Sequence, residues 1–368
     1  MYGQYTLGVE EEFQIVDPVT GDLRARVCEL LAAGQEQLGE QLKPEMLQSV
    51  VETVTHPCAD VAALREEVVR LRRTLAGLLR GSSLALVAAG THPFSRWHDQ
   101  PIMEAAHYKM LEENLQDVVR SILIFGLHVH VFVPNRNHLI DLMNEARYFL
   151  PHILALSTNS PFWMGRNTGL KSYRTIVWKQ FPRTGIPDAY SSWSAFDEHI
   201  DFLARVHALD ETRRVWWDLR PHPKYGTLEF RICDVPATAD ETIAIAALFQ
   251  AIVAKLHKLR LQNLGFRTYD RNLIEENKWR AARYGLDGRL IDLGKGIEVP
   301  MRDLARELLD FVDDVVDELG CRSELATVER ILQEGTGADR QLAVYRENGG
   351  DPQAVAQWLI QETTRGLE

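Results

Sequence analysis

Cysteine is scarce: four occur in 368 residues, Cys28, Cys58, Cys233 and Cys321, and no two form a Cys-x-x-Cys pair. This spacing excludes a disulfide-stapled secreted scaffold and suits free thiols in a reducing, cytoplasmic setting. Basic charge is also short. With a formal net charge of -11, the chain lacks the general basic face that a nucleic-acid grip requires. Long apolar runs are missing too, the longest being about ten residues where a membrane span needs ~20. The N-terminus leads into a strand pattern without a basic segment followed by an apolar core, so we expect no signal peptide and no membrane partner. No Gly-rich stretch ends in Gly-Lys-Ser/Thr, which rules out a Walker A loop; if ATP binds, metals and arginines must hold its phosphates. There is no internal repeat, low-complexity tract or Ser/Gly linker.

What is present is enough apolar residue, 45%, to bury a substantial core. The most informative stretch is Gly8-Val9-Glu10-Glu11-Glu12-Phe13, within an alternating run from Tyr5 to Val16. Alternation reads as a strand, with Leu7, Val9, Phe13 and Ile15 on one face and Glu10, Glu12 and Gln14 on the other. Glu11 then falls on the apolar side. Acids two apart on a strand share a surface and repel, so a cation should meet them: a divalent metal, or an Arg or Lys from another strand.

Two further strands repeat the pattern. Residues 121–133 carry His128, His130 and Phe132 on one face, with Leu127, Val129, Val131 and Val133 on the other. Residues 226–234 carry Thr227, Glu229 and Arg231 opposite Leu228, Phe230 and Ile232. Residues 45–55 read as another strand, interrupted by Glu52, and 83–89 as a buried one. Helices are expected over 29–42, 60–80, 103–119, 135–150 and 194–209, with residues 240 onward helical to the end. The segment 157–190 has too many Gly and Pro residues for a long element, but its Phe162, Trp163, Tyr173, Trp178 and Phe181 argue for order; we read it as a loop covering an active site.

Strands first and helices last suggest an α+β fold with an antiparallel sheet. We expect one catalytic domain over 1–368, with a sheet-bearing core to 235 and a mainly helical part packed on it. One sheet face would meet helices and the other would form a polar floor. Glu10, Glu12, Glu52, Glu229 and one His could there hold divalent metals, while Arg174, Arg183, Arg220 and Arg231 offer planar forks for carboxylate or phosphate. A carboxylate-dominated set favours magnesium or manganese. The His-x-His pair leaves open a zinc-dependent amide hydrolase that needs no nucleotide. A non-catalytic binding protein is the third reading.

Seven motifs, in order over residues 5–235, resemble the YbdK-type carboxylate-amine ligases, the type 2 glutamate-cysteine ligase family. They are Gly8-Val9-Glu10-Glu11-Glu12-Phe13, Val51-Glu52-Thr53-Val54-Thr55, Gly90-Thr91-His92-Pro93, Gly126-Leu127-His128-Val129-His130, Ser160-Pro161-Phe162-Trp163, Thr168-Gly169-Leu170 and Thr227-Leu228-Glu229-Phe230-Arg231. The resemblance implies a glutamine synthetase-like fold, in which a curved antiparallel sheet makes a funnel. It implies ATP with Mg2+, or Mn2+ in its place, and an amide formed through an acyl phosphate, with glutamate and cysteine as the named substrates. It places metal ligands at Glu10, Glu12, Glu52, His128 and Glu229, and a phosphate-contacting arginine at Arg231. Glu12 and Glu229 are thereby catalytic as well. Glu45, His130, Arg174, Arg183 and Arg220 are candidate substrate contacts, and a homodimer is implied.

Overall fold

The computed structural model describes residues 5–209 and 215–367. A seven-stranded antiparallel sheet organises them: β1 (Leu7–Val16), β2 (Leu42–Pro44), β3 (Val50–Val54), β4 (Ala85–Val87), β5 (Gly126–Phe132), β6 (Leu219–His222) and β7 (Thr227–Asp234). Their spatial order is β6-β7-β5-β1-β3-β2, and β4 pairs with the end of β1. The most acidic strand is therefore central. Its neighbours β3 and β5 bring Glu52 opposite Glu12 and His128 opposite Glu10. On the far side of β5, Glu229 faces His130, and Arg220 faces Glu229.

The expected division of faces holds. Leu7, Val9, Leu127, Val129, Val131, Leu228 and Phe230 are buried against helices, chiefly Ala239–Leu261 and Val61–Gly81. Ala239–Leu261 is long and apolar enough to cross a membrane by length and composition, which the reading of short apolar runs overlooked, but 83% of its apolar window is buried in the core. Glu11 on this apolar side is resolved by Arg72, which donates to it at 2.6 and 3.2 Å with both side chains fully buried. Thr242 adds a third hydrogen bond to Glu11, and the carbonyls of Pro236 and Ala237 accept from Arg72. The pair fastens the central strand to two helices.

Several elements are shorter than the sequence suggests. The 45–55 strand starts only at Val50, because residues 45–49 cross from β2 to β3, and the 121–133 strand starts at Gly126. The 103–119 helix breaks at Gln116, whose φ is +50°, and the 135–150 helix becomes Leu139–Ala146 followed by Leu150–Ser157. The C-terminal third is not wholly helical: Arg289–Asp292 and Ile297–Pro300 pair as a hairpin. Its turn is built by Asp292, whose Oδ1 accepts from the backbone of Gly294 and Lys295, with Gly296 at φ +69°. This is Asx and glycine turn chemistry, present in the sequence as Asp292-Leu293-Gly294-Lys295-Gly296.

The 157–190 segment is ordered by short elements: a hairpin of Phe162–Trp163 with Arg166–Asn167, a single helical turn Arg174–Trp178, and Thr184–Gly185 running parallel to Trp216–Trp217.

Candidate active site

The polar face of the sheet floors a cavity of 630 Å³ whose walls include Glu10, Glu12, Glu45, Glu52, His128, His130, Arg174, Arg220, Glu229 and Arg231. Two overlapping triads could each hold a cation, Glu10–His128–Glu229 and Glu12–Glu52–His128, with ligand atoms within 4.8 Å of one another. His128 belongs to both. Its Nδ1 lies 3.1 Å from Glu10 Oε2, and His130 Nε2 lies 3.5 Å from Glu10 Oε1. Burial alone would raise the Glu10 carboxyl, but the two imidazoles outweigh it and hold the group well below the usual carboxylate range. Burial, reinforced by Arg231, pushes His128 down.

The two halves of the floor differ in charge balance. On one side Glu229 is almost completely buried and fully engaged: Arg220 donates to both its oxygens at 2.6 and 3.0 Å, and Arg231 donates to Oε1 at 2.5 Å. Burial would raise this carboxyl, but Arg231 and then Arg220 bring it far below its ordinary value. Glu229, expected from the sequence as a metal ligand, stands in one of the two triads while its oxygens also serve two guanidiniums. On the other side three acids, Glu12, Glu45 and Glu52, have Lys43 3.9 Å from Glu52 and the more distant charge of Arg231 acting on Glu45 and Glu12. Burial and then the neighbouring Glu12 and Glu10 push Glu45 up to about 8. Burial and the charges of Glu45, Glu10 and Glu12 likewise hold Glu52 well above its ordinary value. Like charges gathered without cations are costly. A donor set of carboxylates and one imidazole fits a hard divalent cation such as Mg2+ or Mn2+.

Arg174 enters from the 157–190 segment and lies against β7, where the carbonyls of Arg231 and Ile232 accept from it at 3.3 and 3.4 Å. A Cβ on Gly126 would stand 2.3 Å from its Nη2, so any larger residue there would displace the guanidinium. The Gly126 N–H in turn donates to Glu12 at 2.6 Å. Asp234, at the end of β7, pins the segment: it accepts from the backbone of Asn159, from Ser160 Oγ and from Ser172 Oγ at 2.7–2.8 Å. Arg174 Nε is buried without a hydrogen-bond partner. Trp178 sits under the Arg231 guanidinium and stacks on Phe181, which meets Trp216 edge-on.

Arg183 does not join the cavity wall; its guanidinium lies over the ring of Trp216, which does. Lys43, Tyr108, Trp178, Trp216, His222 and Tyr225 also line the cavity and were not singled out in the sequence. Trp178 stood in the aromatic-rich segment and Lys43 beside Glu45, but nothing in their local pattern distinguishes a cavity wall from a core. A wider cleft of 880 Å³ continues along the same floor past Glu10 and His130, bounded by Gly8, Lys43, Val54, Phe132, Lys224, Tyr225 and Thr227.

Comparison with known proteins agrees with this geometry. The family model described as glutamate-cysteine ligase family 2 matches residues 6–357. Proteins named putative glutamate--cysteine ligase 2 from Solibacter usitatus and Herpetosiphon aurantiacus are 53% and 51% identical over 363 residues. Those alignments cover 98% and 99% of this chain and 94% of each relative. Among solved structures, a glutamate–cysteine ligase from Francisella tularensis in complex with AMP superposes with a TM-score of 0.66 at 12% identity, covering 99% of this chain and 90% of that one. A bifunctional glutathione synthetase from Pasteurella multocida gives 0.71 at 16% identity; all of this chain aligns, spanning 53% of the larger protein. At such identities the likeness is one of fold.

Proposed function

The chain belongs to glutamate-cysteine ligase family 2, and on that premise we propose that it is an ATP-dependent ligase joining a carboxylate to an amine through an acyl phosphate. The observation that carries the reading is the acidic half of the floor, Glu12, Glu45 and Glu52, whose mutual repulsion outweighs the nearby cations at Glu45 and Glu52, beside a half rich in arginine. Glu10, Glu12, Glu52 and His128 would hold Mg2+ or Mn2+, with Glu229 at the edge of the set. The metal, when bound, supplies charge neutralisation for phosphate oxygens.

Arg231 and Arg220 form a cationic wall fixed by Glu229, and Arg174, whose Nε makes no hydrogen bond, adds a third guanidinium. Phosphoryl transfer is catalysed mainly by such positioning and electrostatics. A carboxylate oxygen of the first substrate attacks the γ-phosphorus of ATP, the bond to ADP breaks, and an acyl phosphate forms. The amine nitrogen then attacks the acyl carbon, the bond to phosphate breaks, and phosphate leaves with the proton that nitrogen gives up. Trp178 and Trp216 shield the acyl phosphate from water. The wider cleft, with Phe132 and Tyr225 as aromatic edges and Lys43 and Lys224 at its rim, suits the nucleotide.

Glutamate and cysteine are the first pair to test, since the relatives carry that name. An ADP-release screen of carboxylates and amines, under Mg2+ and separately under zinc, tests the reading; ADP should require metal, carboxylate and amine together. Zinc-dependent amide cleavage without nucleotide would overturn it. The geometry favours the ligase over that hydrolase, because His130 joins neither triad and its Nδ1 is engaged by Thr227 at 3.0 Å. Assembly as a homodimer belongs to the same proposal and is checked by light scattering.

A further inference from the structure

Arg231 stands where β7 leaves its regular ladder. Phe230 pairs with Val129 and Cys233 with Leu127, so β7 spends one residue more than β5 and bulges at Arg231 and Ile232. A bulge interrupts the ladder and re-aims a side chain. Here its backbone groups find partners elsewhere. The carbonyls of Arg231 and Ile232 accept from Arg174, and the Arg231 N–H donates to the Asp218 carbonyl at 2.8 Å. Glu229 thus holds the Arg231 guanidinium, while Asp218 holds the backbone from which it springs.

Asp218, just before β6, is itself held from two further directions. Its N–H donates to the Gly185 carbonyl at 2.9 Å, and its carboxylate accepts from Lys278 Nζ at 2.6 Å. One residue therefore ties β7 to the 157–190 segment and to the helix Arg271–Tyr284. Both side chains of the ion pair are almost completely buried, and neither lines the cavity. Glu275, three residues before Lys278 and so on the same helix face, accepts from the Ile186 N–H at 3.0 Å. That face grips the chain just past each of the two parallel strands, Thr184–Gly185 and Trp216–Trp217, the second of which supplies Trp216 to the cavity wall.

We infer that Lys278 is a positioning residue for phosphoryl transfer: by fixing Asp218 it sets the bulge from which Arg231 enters the cavity. The inference rests on the ligase reading and deepens it, giving the helical part of the chain a role in the chemistry. A buried ion pair is a poor device for stability, since apolar residues of similar volume pack as well or better. What the pair adds is direction, because a charge-assisted hydrogen bond fixes one geometry where apolar contact does not. Phosphoryl transfer depends on such placement of cations.

The experiment uses the full chain with ATP, Mg2+, the carboxylate that the wild-type protein accepts, and hydroxylamine, whose hydroxamate product reports the acyl phosphate. Each variant is assayed at a temperature where circular dichroism shows it folded. Lys278→Met should lower kcat about 10- to 100-fold and leave KM for ATP and carboxylate within about twofold, while Lys278→Arg retains most of the turnover. Lys278→Met also leaves Asp218 buried without its cation and should melt lower. Lys278→Met combined with Asp218→Leu removes that stray charge. It should regain the melting temperature and stay slow. A double variant that regains kcat along with stability, one that does not fold, or a folded Lys278→Met protein with wild-type kcat overturns the positioning role and leaves the ligase standing. No hydroxamate and no ADP from the wild-type protein with any carboxylate overturns the ligase reading, and this inference with it.

Discussion

Glu52 and Glu229 sit on the same floor and carry opposite electrostatic histories. Glu52 is held well above its ordinary value by burial and by Glu45, Glu10 and Glu12, so the folded chain binds protons there that the unfolded chain releases. Its contribution to stability therefore falls as pH rises from the ordinary carboxylate range toward the raised folded value. Glu52→Gln should remove that slope, raise the melting temperature in EDTA by a shift worth about 1 kcal/mol, and abolish the stabilisation that added Mg2+ gives the native protein. A variant that melts lower in EDTA would show that Glu52 has a cationic partner instead. Glu229 behaves in the opposite sense. Glu229→Ala removes the carboxylate that two largely buried guanidiniums, Arg220 and Arg231, share, and should cost about 3–5 kcal/mol in chemical denaturation. A stably folded Glu229→Ala protein would contradict the role of this carboxylate as the anchor of two arginines. Strand periodicity placed Glu229 on the correct face in the sequence, whereas Glu52 stood out only as an acid interrupting its strand. Periodicity could not say which would be neutralised, since that depends on which strand becomes the neighbour.

Strands were more legible than the segments between them. The alternation in β1, β5 and β7 gave the face of Glu10, Glu12, His128, His130, Glu229 and Arg231, and the register then aligned Glu10 with His128 and Glu12 with Glu52. The hairpin of Arg289–Asp292 with Ile297–Pro300 was missed because two short strands inside a helical stretch give little periodicity, although its turn residues were readable. Of the seven family-like motifs, Gly90-Thr91-His92-Pro93 is structural. His92 is buried, its Nε2 bonding the Gly21 carbonyl while Nδ1 accepts from Phe94 and Ser95, and burial pushes it down to about 4. The 157–190 segment, read as a cover, is a wall fixed by Asp234. Asp234→Asn replaces one acceptor oxygen with an NH2 group facing hydroxyl and amide donors. The displaced Arg174 should lower turnover about 10- to 100-fold. Hydrogen exchange should rise across 157–190 while β1 and β5 stay protected; unchanged exchange and turnover would refute the pinning role.

At the scale of the molecule, one sheet separates two environments. Its helix-facing side holds the core and the buried ion pair of Glu11 with Arg72, while its open side gathers acids, histidines and guanidiniums from five strands around one cavity. The composition and the strands-then-helices order indicated this α+β architecture, and the likeness in fold to two solved ligases agrees with it. The two clefts along the floor were not legible, because their walls come from connections whose paths are set only when the sheet closes. The account's central claim is that this floor transfers phosphate from ATP to a carboxylate, and isotope transfer tests it most directly. With 18O in the substrate carboxylate, ATP, Mg2+ and an accepted amine, the account predicts one 18O atom in each phosphate released. Unlabelled phosphate accompanying amide formation would contradict it.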